Sequence, residues 1–189
     1  MVQPKSIALA LVAFFFGARA SPCASCNPAN IVQDGSFEAG SSVWTLDSGV
    51  TIETDAPDSD YSASGVNYVN IYIAQRSDYA RYGLSQQLTG LVPNKPYTLQ
   101  YTYELTDASG IYDGGVGIQT QLDGVQVDSV FMQSRDQQGI VQVRTVTITP
   151  TTANPLLYID GYGSGNYYYG ANVVIDDISL GQACNSGKP

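Results

Sequence analysis

The stretch Tyr97-Thr-Leu-Gln-Tyr-Thr-Tyr-Glu-Leu105 constrains the fold more than any other feature of the chain. Tyr97, Leu99, Tyr101, Tyr103 and Leu105 alternate with Thr98, Gln100, Thr102 and Glu104, and a period of two places one set on each face of an extended strand. No long stretch elsewhere carries the 3.6-residue period of a helix. From Asn30 onward, runs rich in Val, Ile, Thr and Tyr recur between clusters of Gly, Asn, Asp and Pro, the pattern of an all-β sandwich or barrel. This predicts strands near 31–38, 43–54, 66–74, 83–90, 97–106, 115–122, 125–132, 140–149, 155–162 and 171–181.

The same alternation points Val69, Ile71 and Ile73 inward and turns Tyr68, Asn70 and Tyr72 the other way. In the run from Val116 to Leu122 the apolar set is Val116, Ile118 and Leu122, with Gln119 and Gln121 opposite. Asp123-Gly124 between two such runs tolerates the positive φ angles of a tight hairpin, so 115–122 and 125–132 are expected to pair antiparallel. Residues 107–115 and 161–170 are rich in Gly, Ser and Tyr and read as loops, the second carrying Tyr162, Tyr167, Tyr168 and Tyr169.

The first 20 residues stand apart. Lys5 precedes the apolar run Ile7 to Phe16, and Ala18 and Ala20 place small residues before Ser21. A run of this length falls short of the roughly 20 residues that span a bilayer, and with its small-residue ending it reads as a secretory signal peptide. The chain therefore divides into a signal peptide (1–20), a Cys/Pro-rich leader (21–29), one β domain (30–184) and a tail (185–189), and the mature protein is expected outside the cell or in the cell wall.

An oxidising compartment favours disulfides. Of the three cysteines, Cys23 and Cys26 form a Cys-x-x-Cys pair, but in the leader Ser21-Pro-Cys-Ala-Ser-Cys-Asn-Pro28 and not at a helix start. The setting that lowers a thiol pKa is missing there. The remaining reading is that Cys26, or else Cys23, bridges to Cys184. One cysteine is then left over, available for a disulfide-linked dimer.

Charge and composition narrow the function. Removing Lys5 and Arg19 with the signal peptide leaves 6 basic against 17 acidic residues, a net charge of −11. Nucleic acid and anionic membranes both demand a basic surface, so neither is an expected partner. The chain has no histidine, which removes the commonest general base and metal ligand. Serine-hydrolase chemistry would fall back on a Ser-Lys pair, with Lys95 and Lys188 both in loop or tail positions. A glycosidase needs two carboxylates roughly 5–9.5 Å apart. Glu104 with Asp160 or Asp128 is arithmetically available, as some pair must be among 17 acidic residues. No enzyme activity is expected.

Several motifs in order resemble a known group: Asn30-Ile-Val-Gln-Asp-Gly-Ser-Phe-Glu38, Trp44, Ser64-Gly65, Ser85-Gln-Gln-Leu-Thr-Gly-Leu91, Tyr97-Thr-Leu99 and Val174-Ile-Asp-Asp-Ile-Ser-Leu180. They resemble the galactose-binding-like jelly rolls of carbohydrate-binding module families four, nine and twenty-two, most closely small secreted fungal proteins in which that domain stands alone. The resemblance covers about 150 residues, from Asn30 to Leu180. It implies an antiparallel β-sandwich with jelly-roll topology and termini on neighbouring strands, which agrees with a Cys26–Cys184 bridge. Trp44 matches a core position, so tyrosines of the face, or else the tyrosine-rich loop 162–169, must supply any aromatic platform.

The resemblance also implies two sites. Members of the group often hold a structural calcium at the sandwich edge, and Glu38 and Asp176 match the carboxylate positions. Asp177 is an alternative to Asp176, and both carboxylates could simply accept backbone amides. The second site is a concave polar face for polysaccharide or oligosaccharide, expected here as Tyr68, Asn70, Tyr72, Gln100, Thr102, Glu104, Gln119 and Gln121. Sugar rings pack C–H faces on aromatic rings and offer hydroxyls to amides and carboxylates, so Tyr with Gln and Asn suits them. The expectation is thus a secreted, non-catalytic binder of cell-wall glycan. The alternatives are a surface or adhesion protein that binds another protein, and an auxiliary protein acting on a small apolar metabolite.

Overall fold

The structure is a computed structural model that describes residues 30–40, 43–54, 65–74, 81–107, 111–132, 137–167 and 170–183, without the side chains of 111–113 and 165–167. Ten strands follow in order: β1 (Thr45–Leu46), β2 (Val50–Thr54), β3 (Asn67–Ile73), β4 (Arg81–Gln87), β5 (Tyr97–Asp107), β6 (Ile111–Leu122), β7 (Val125–Met132), β8 (Gln142–Ile148), β9 (Leu156–Tyr167) and β10 (Ala171–Gln182). They form two five-stranded sheets, β1-β4-β9-β6-β7 and β2-β3-β10-β5-β8, called here the first and second sheet. Every pairing within them is antiparallel. This is the β-sandwich jelly roll expected from the sequence.

The alternation read from the sequence builds the core. Tyr97, Leu99, Tyr101, Tyr103 and Leu105 on β5 are all buried, as are Val69, Ile71 and Ile73 on β3 and Val116, Ile118 and Leu122 on β6. Trp44 joins them. Asp123 and Gly124 take φ of 50° and 77°, and β6 and β7 close on each other from Leu122↔Val125. The Asp123 carboxylate locks the turn by accepting from the Leu156 amide at 2.8 Å and the Thr152 hydroxyl at 3.1 Å.

At the far edge, Asp128 of β7 and Arg144 of β8 tie the two sheets together through a two-pronged ion pair, with Arg144 Nε donating to Asp128 Oδ2 at 2.8 Å. Nearby, the Tyr101 hydroxyl is buried beside the Thr120 hydroxyl, and neither makes a hydrogen bond of good geometry among the described residues. An unsatisfied buried donor costs roughly 1–3 kcal/mol. Tyr101→Phe is therefore expected to hold or raise the urea midpoint; a clear fall would mean that the hydroxyl has a partner.

Four sequence expectations need correction. Residues 31–38 are not a strand: Asp34 and Phe37 sit at φ of 48° and 60°, which breaks extended geometry. They form a loop that plugs one end of the sandwich, with Phe37 fully buried against Trp44 at 5.7 Å between ring centroids. Residues 43–54 are two short strands in different sheets, divided at Gly49 with φ of 89°. The loops expected at 107–115 and 161–170 are largely strand. β6 begins at Ile111, β9 runs to Tyr167, and their small residues pair directly, Gly114↔Gly165 and Gly115↔Ser164. Low β-propensity hid these strands because long-range pairing overrides it.

The loop 30–36 continues the second sheet where β3 stops. β3 pairs with β10 only from Ala171 to Ile175. Beyond that, the Ile31 amide donates to the Leu180 carbonyl at 2.9 Å and the Ile178 amide to the Gly35 carbonyl at 2.9 Å. The Asn30 carboxamide pins the entry, accepting from the Leu180 amide at 2.9 Å. A Cβ on Gly35 would land on the Ile178 carbonyl, so this close approach requires glycine. The described ends of the chain are thus neighbours. Cys26 and Cys184 lie outside the described residues.

Candidate functional site

The outer face of the first sheet brings together aromatic and hydrogen-bonding groups from four strands. Leu84, Leu157, Ile159 and Ile118 point into the core, so their alternates point outward. Strand register arranges these alternates in three rows across β4, β9, β6 and β7. They are Arg81–Tyr162–Gly117–Phe131, Gly83–Asp160–Gln119–Ser129, and Ser85–Tyr158–Gln121–Gln126.

Two glycines in these rows, Gly117 and Gly83, and Gly115 further along β6 make room for their neighbours. A Cβ on Gly117 would come to 2.5 Å from Tyr162 Cε1, one on Gly115 to 2.9 Å from the Phe131 ring, and one on Gly83 to 2.9 Å from Asp160 Cβ. At Gly117 the obstacle is the Tyr162 ring alone, which lies over the strand there, whereas at Gly115 and Gly83 the nearest atoms are the Met132 and Ile159 backbone carbonyls. The Tyr162 ring reaches across β6, where its hydroxyl meets Ser129 Oγ at 3.1 Å. It lies beside Phe131 with 6.3 Å between centroids and 25° between planes. The Arg81 guanidinium stands over it, 5.4 Å from its centroid, a cation–π arrangement.

Polar groups border this aromatic strip. Asp160 is fully buried on the outer face, accepting from Arg81 Nη1 at 3.3 Å and Gln121 Nε2 at 2.9 Å. Burial raises its pKa above the ordinary carboxyl value against the opposing pull of Arg81. The Tyr158 hydroxyl donates to Asp47 Oδ2 at 2.6 Å, and burial together with that bond pushes its pKa up. Gln119 Nε2 donates to Gln126 Oε1.

A carboxyl whose folded pKa exceeds its unfolded one adds stability at low pH, and that contribution is lost as pH rises through the folded value. Replacing Asp160 by Asn keeps the shape and removes the titration. The urea stability of the wild type is therefore expected to fall, relative to Asp160→Asn, as pH rises from 4 through the raised pKa. Parallel pH profiles would show that Arg81 fully offsets the burial.

The eight residues expected to form one glycan face lie on two. Gln119 and Gln121 belong to the first sheet. Tyr68, Asn70 and Tyr72 on β3 and Gln100, Thr102 and Glu104 on β5 belong to the outer face of the second, on the opposite side of the sandwich. Alternation fixes the side of a strand a residue occupies, not the sheet that strand joins. Several of these groups are also engaged or covered. Tyr68 and Glu104 are buried, and Tyr68 and Asn70 donate to Glu53 at 3.3 and 2.8 Å. Thr102 donates to the Asp176 carbonyl at 3.1 Å. Tyr72 and Gln100 are exposed.

The carboxylate pair Glu104 and Asp160 is likewise split between the two outer faces, and Asp128 is held by Arg144. Glu38 Oε1 accepts from the Val66 and Asn67 amides, both at 2.8 Å. Asp176 is buried on β10, its Oδ1 accepting from the Asp177 amide at 2.7 Å. These contacts fit the backbone-amide role for Glu38, and among the described residues no group of three or more His, Cys, Asp or Glu converges.

Sequence reasoning missed Arg81, Ser129, Phe131, Tyr158 and Tyr162 as face residues, and placed Asp160 on no face. A signal was present: Leu157, Ile159 and Gly161 alternate with Tyr158, Asp160 and Tyr162. The expected strand 155–162 contains this pattern whole, but only the pairing of β9 with β6 brings its outward set beside Gln119 and Gln121.

The chain superposes on a cyclase from Fischerella sp. TAU in complex with 4-(1H-indol-3-yl)butan-2-one over 84% of its length and 100% of that chain, at TM-score 0.57 and 18% identity. It superposes on the C-terminal family 22 carbohydrate-binding module of Clostridium thermocellum Xyn10B over 82% and 94%, at 0.53 and 12%. The likeness is one of fold. An arabinose-bound α-L-arabinofuranosidase also matches over 81% of this chain at 0.55 and 16%, but the chain spans only 26% of that enzyme. No protein-family model and no curated protein matches the sequence.

Proposed function

We propose that this is a secreted, non-catalytic carbohydrate-binding protein, and that a cell-wall polysaccharide or oligosaccharide lies on the outer face of the first sheet. The observation that carries the reading is the aromatic strip of Tyr162 and Phe131, laid over Gly117 and Gly115 and bordered by the Gln121 amide and the Arg81 guanidinium, both anchored by the fully buried Asp160. A pyranose offers an apolar C–H face ringed by hydroxyls, and this surface is its complement. The family 22 module supports the reading by fold alone.

The test is binding of residues 21–189 to a panel of β-glucans, xylan and chitin, with calcium and again with chelator. Saturable binding to one glycan is expected, weakened about tenfold by Gln121→Ala, the loss of one good hydrogen bond. Binding to none by a folded protein would overturn the proposal.

A second reading has an observation of its own. The Tyr162–Phe131 strip beside a fully buried carboxyl also suits a small planar apolar metabolite. Saturable binding of such a compound, without glycan binding, would favour it.

A further inference from the structure

Strand register and backbone geometry create a recess on the opposite sheet. Between Asp176↔Thr102 and Ser179↔Gln100, β10 carries two residues where β5 carries one. This is a β-bulge, which bends its strand and re-aims the extra residue. Asp177, at φ of 53°, turns outward while Ile178 enters the core. The loop 30–36 docks beside the bulge and walls off the face there.

Two adjoining depressions result, of about 430 and 460 Å³, sharing Asn30, Gln100 and Ser179. Thr98 lines the first, and Ser36 and Asp177 the second. Each falls within the roughly 300–1,000 Å³ of ordinary small-molecule sites.

The lining sets the chemistry. The side chains of Ser36, Thr98, Gln100 and Ser179 make no hydrogen bond with any described residue, although the loop, β5 and β10 bring them to one place. Three hydroxyls and a carboxamide supply donors and acceptors in mixture, the complement of a polyhydroxylated ligand. The charged groups in the lining, Asp34 and Asp177, are both acidic, which disfavours phosphate and uronate.

We propose that this recess is a second binding site, for one or two residues of a neutral sugar chain, separate from the first-sheet face. Because the two faces look away from each other, one protein then bridges two glycan chains. The recess stands on its own geometry and does not require the first-sheet site to bind sugar.

The experiment is amide NMR of residues 21–189 titrated separately with cellohexaose, xylohexaose, laminarihexaose, hexagalacturonate and calcium chloride. It uses wild type, Gln100→Ala/Ser179→Ala and Gly117→Val. The expected result is saturable shifts around Thr98–Gln100 and Ile178–Gly181 with one neutral hexasaccharide. These shifts should persist in Gly117→Val and weaken at least tenfold in Gln100→Ala/Ser179→Ala. If Gly117→Val changes nothing but the recess still responds, the first-sheet proposal falls and this one holds. No response there to any neutral sugar, or a response only to calcium or to hexagalacturonate, overturns it.

Discussion

Replacing Gly117 by valine is expected to reduce glycan affinity of the first-sheet face by roughly 30-fold or more, the scale of losing a central interface anchor. Gly117 lies mid-strand in β6, paired on one side with Phe131 and on the other with Tyr162. A side chain there takes the space now filled by the Tyr162 ring. Tyr162 is the partner that can yield, so its ring lifts, leaves Ser129 and separates from Phe131. Valine favours central strands, so circular dichroism and the melting temperature should change little. Isothermal titration against the glycan chosen by the panel reads the effect. Unchanged affinity in a folded variant would remove this face from ligand binding.

The largest stability effect is expected from Phe37→Ala. Phe37 has no exposed surface, packs on Trp44 and closes the end of the core. Truncating a buried phenylalanine costs roughly 3–5 kcal/mol through lost transfer energy and the cavity left behind. At roughly 2–4 °C per kcal/mol for a chain of this size, the melting temperature should drop by roughly 6–20 °C. Val125→Ala, at a residue 65% exposed in the hairpin, is the control and should change it little. A loss in Phe37→Ala no larger than the control's would mean that the loop 30–40 is not docked as described.

Both predictions fall on residues whose roles were illegible locally. Phe37 sits in a segment that reads as a strand, because Ile31, Val32 and Phe37 are apolar and the left-handed turns at Asp34 and Phe37 leave no composition signal. Gly117 reads as a weak strand position. Its purpose depends on Tyr162, 45 residues onward, pairing across from it.

What the sequence by itself determined was the period-two architecture: an all-β chain, the inward residues of β3, β5 and β6, the hairpin at Asp123-Gly124 and Trp44 in the core. All of these rest on local rules, since alternation and turn chemistry act over a few residues. Only the tertiary structure decided which polar faces share a surface. Gln119 and Gln121 alternate just as Gln100 and Thr102 do, yet they lie on opposite sides of the molecule because β6 pairs with β9 and β7, and β5 with β10 and β8. Strand partnership is settled by the burial of two whole sheets against each other, a long-range choice that no short window of sequence contains.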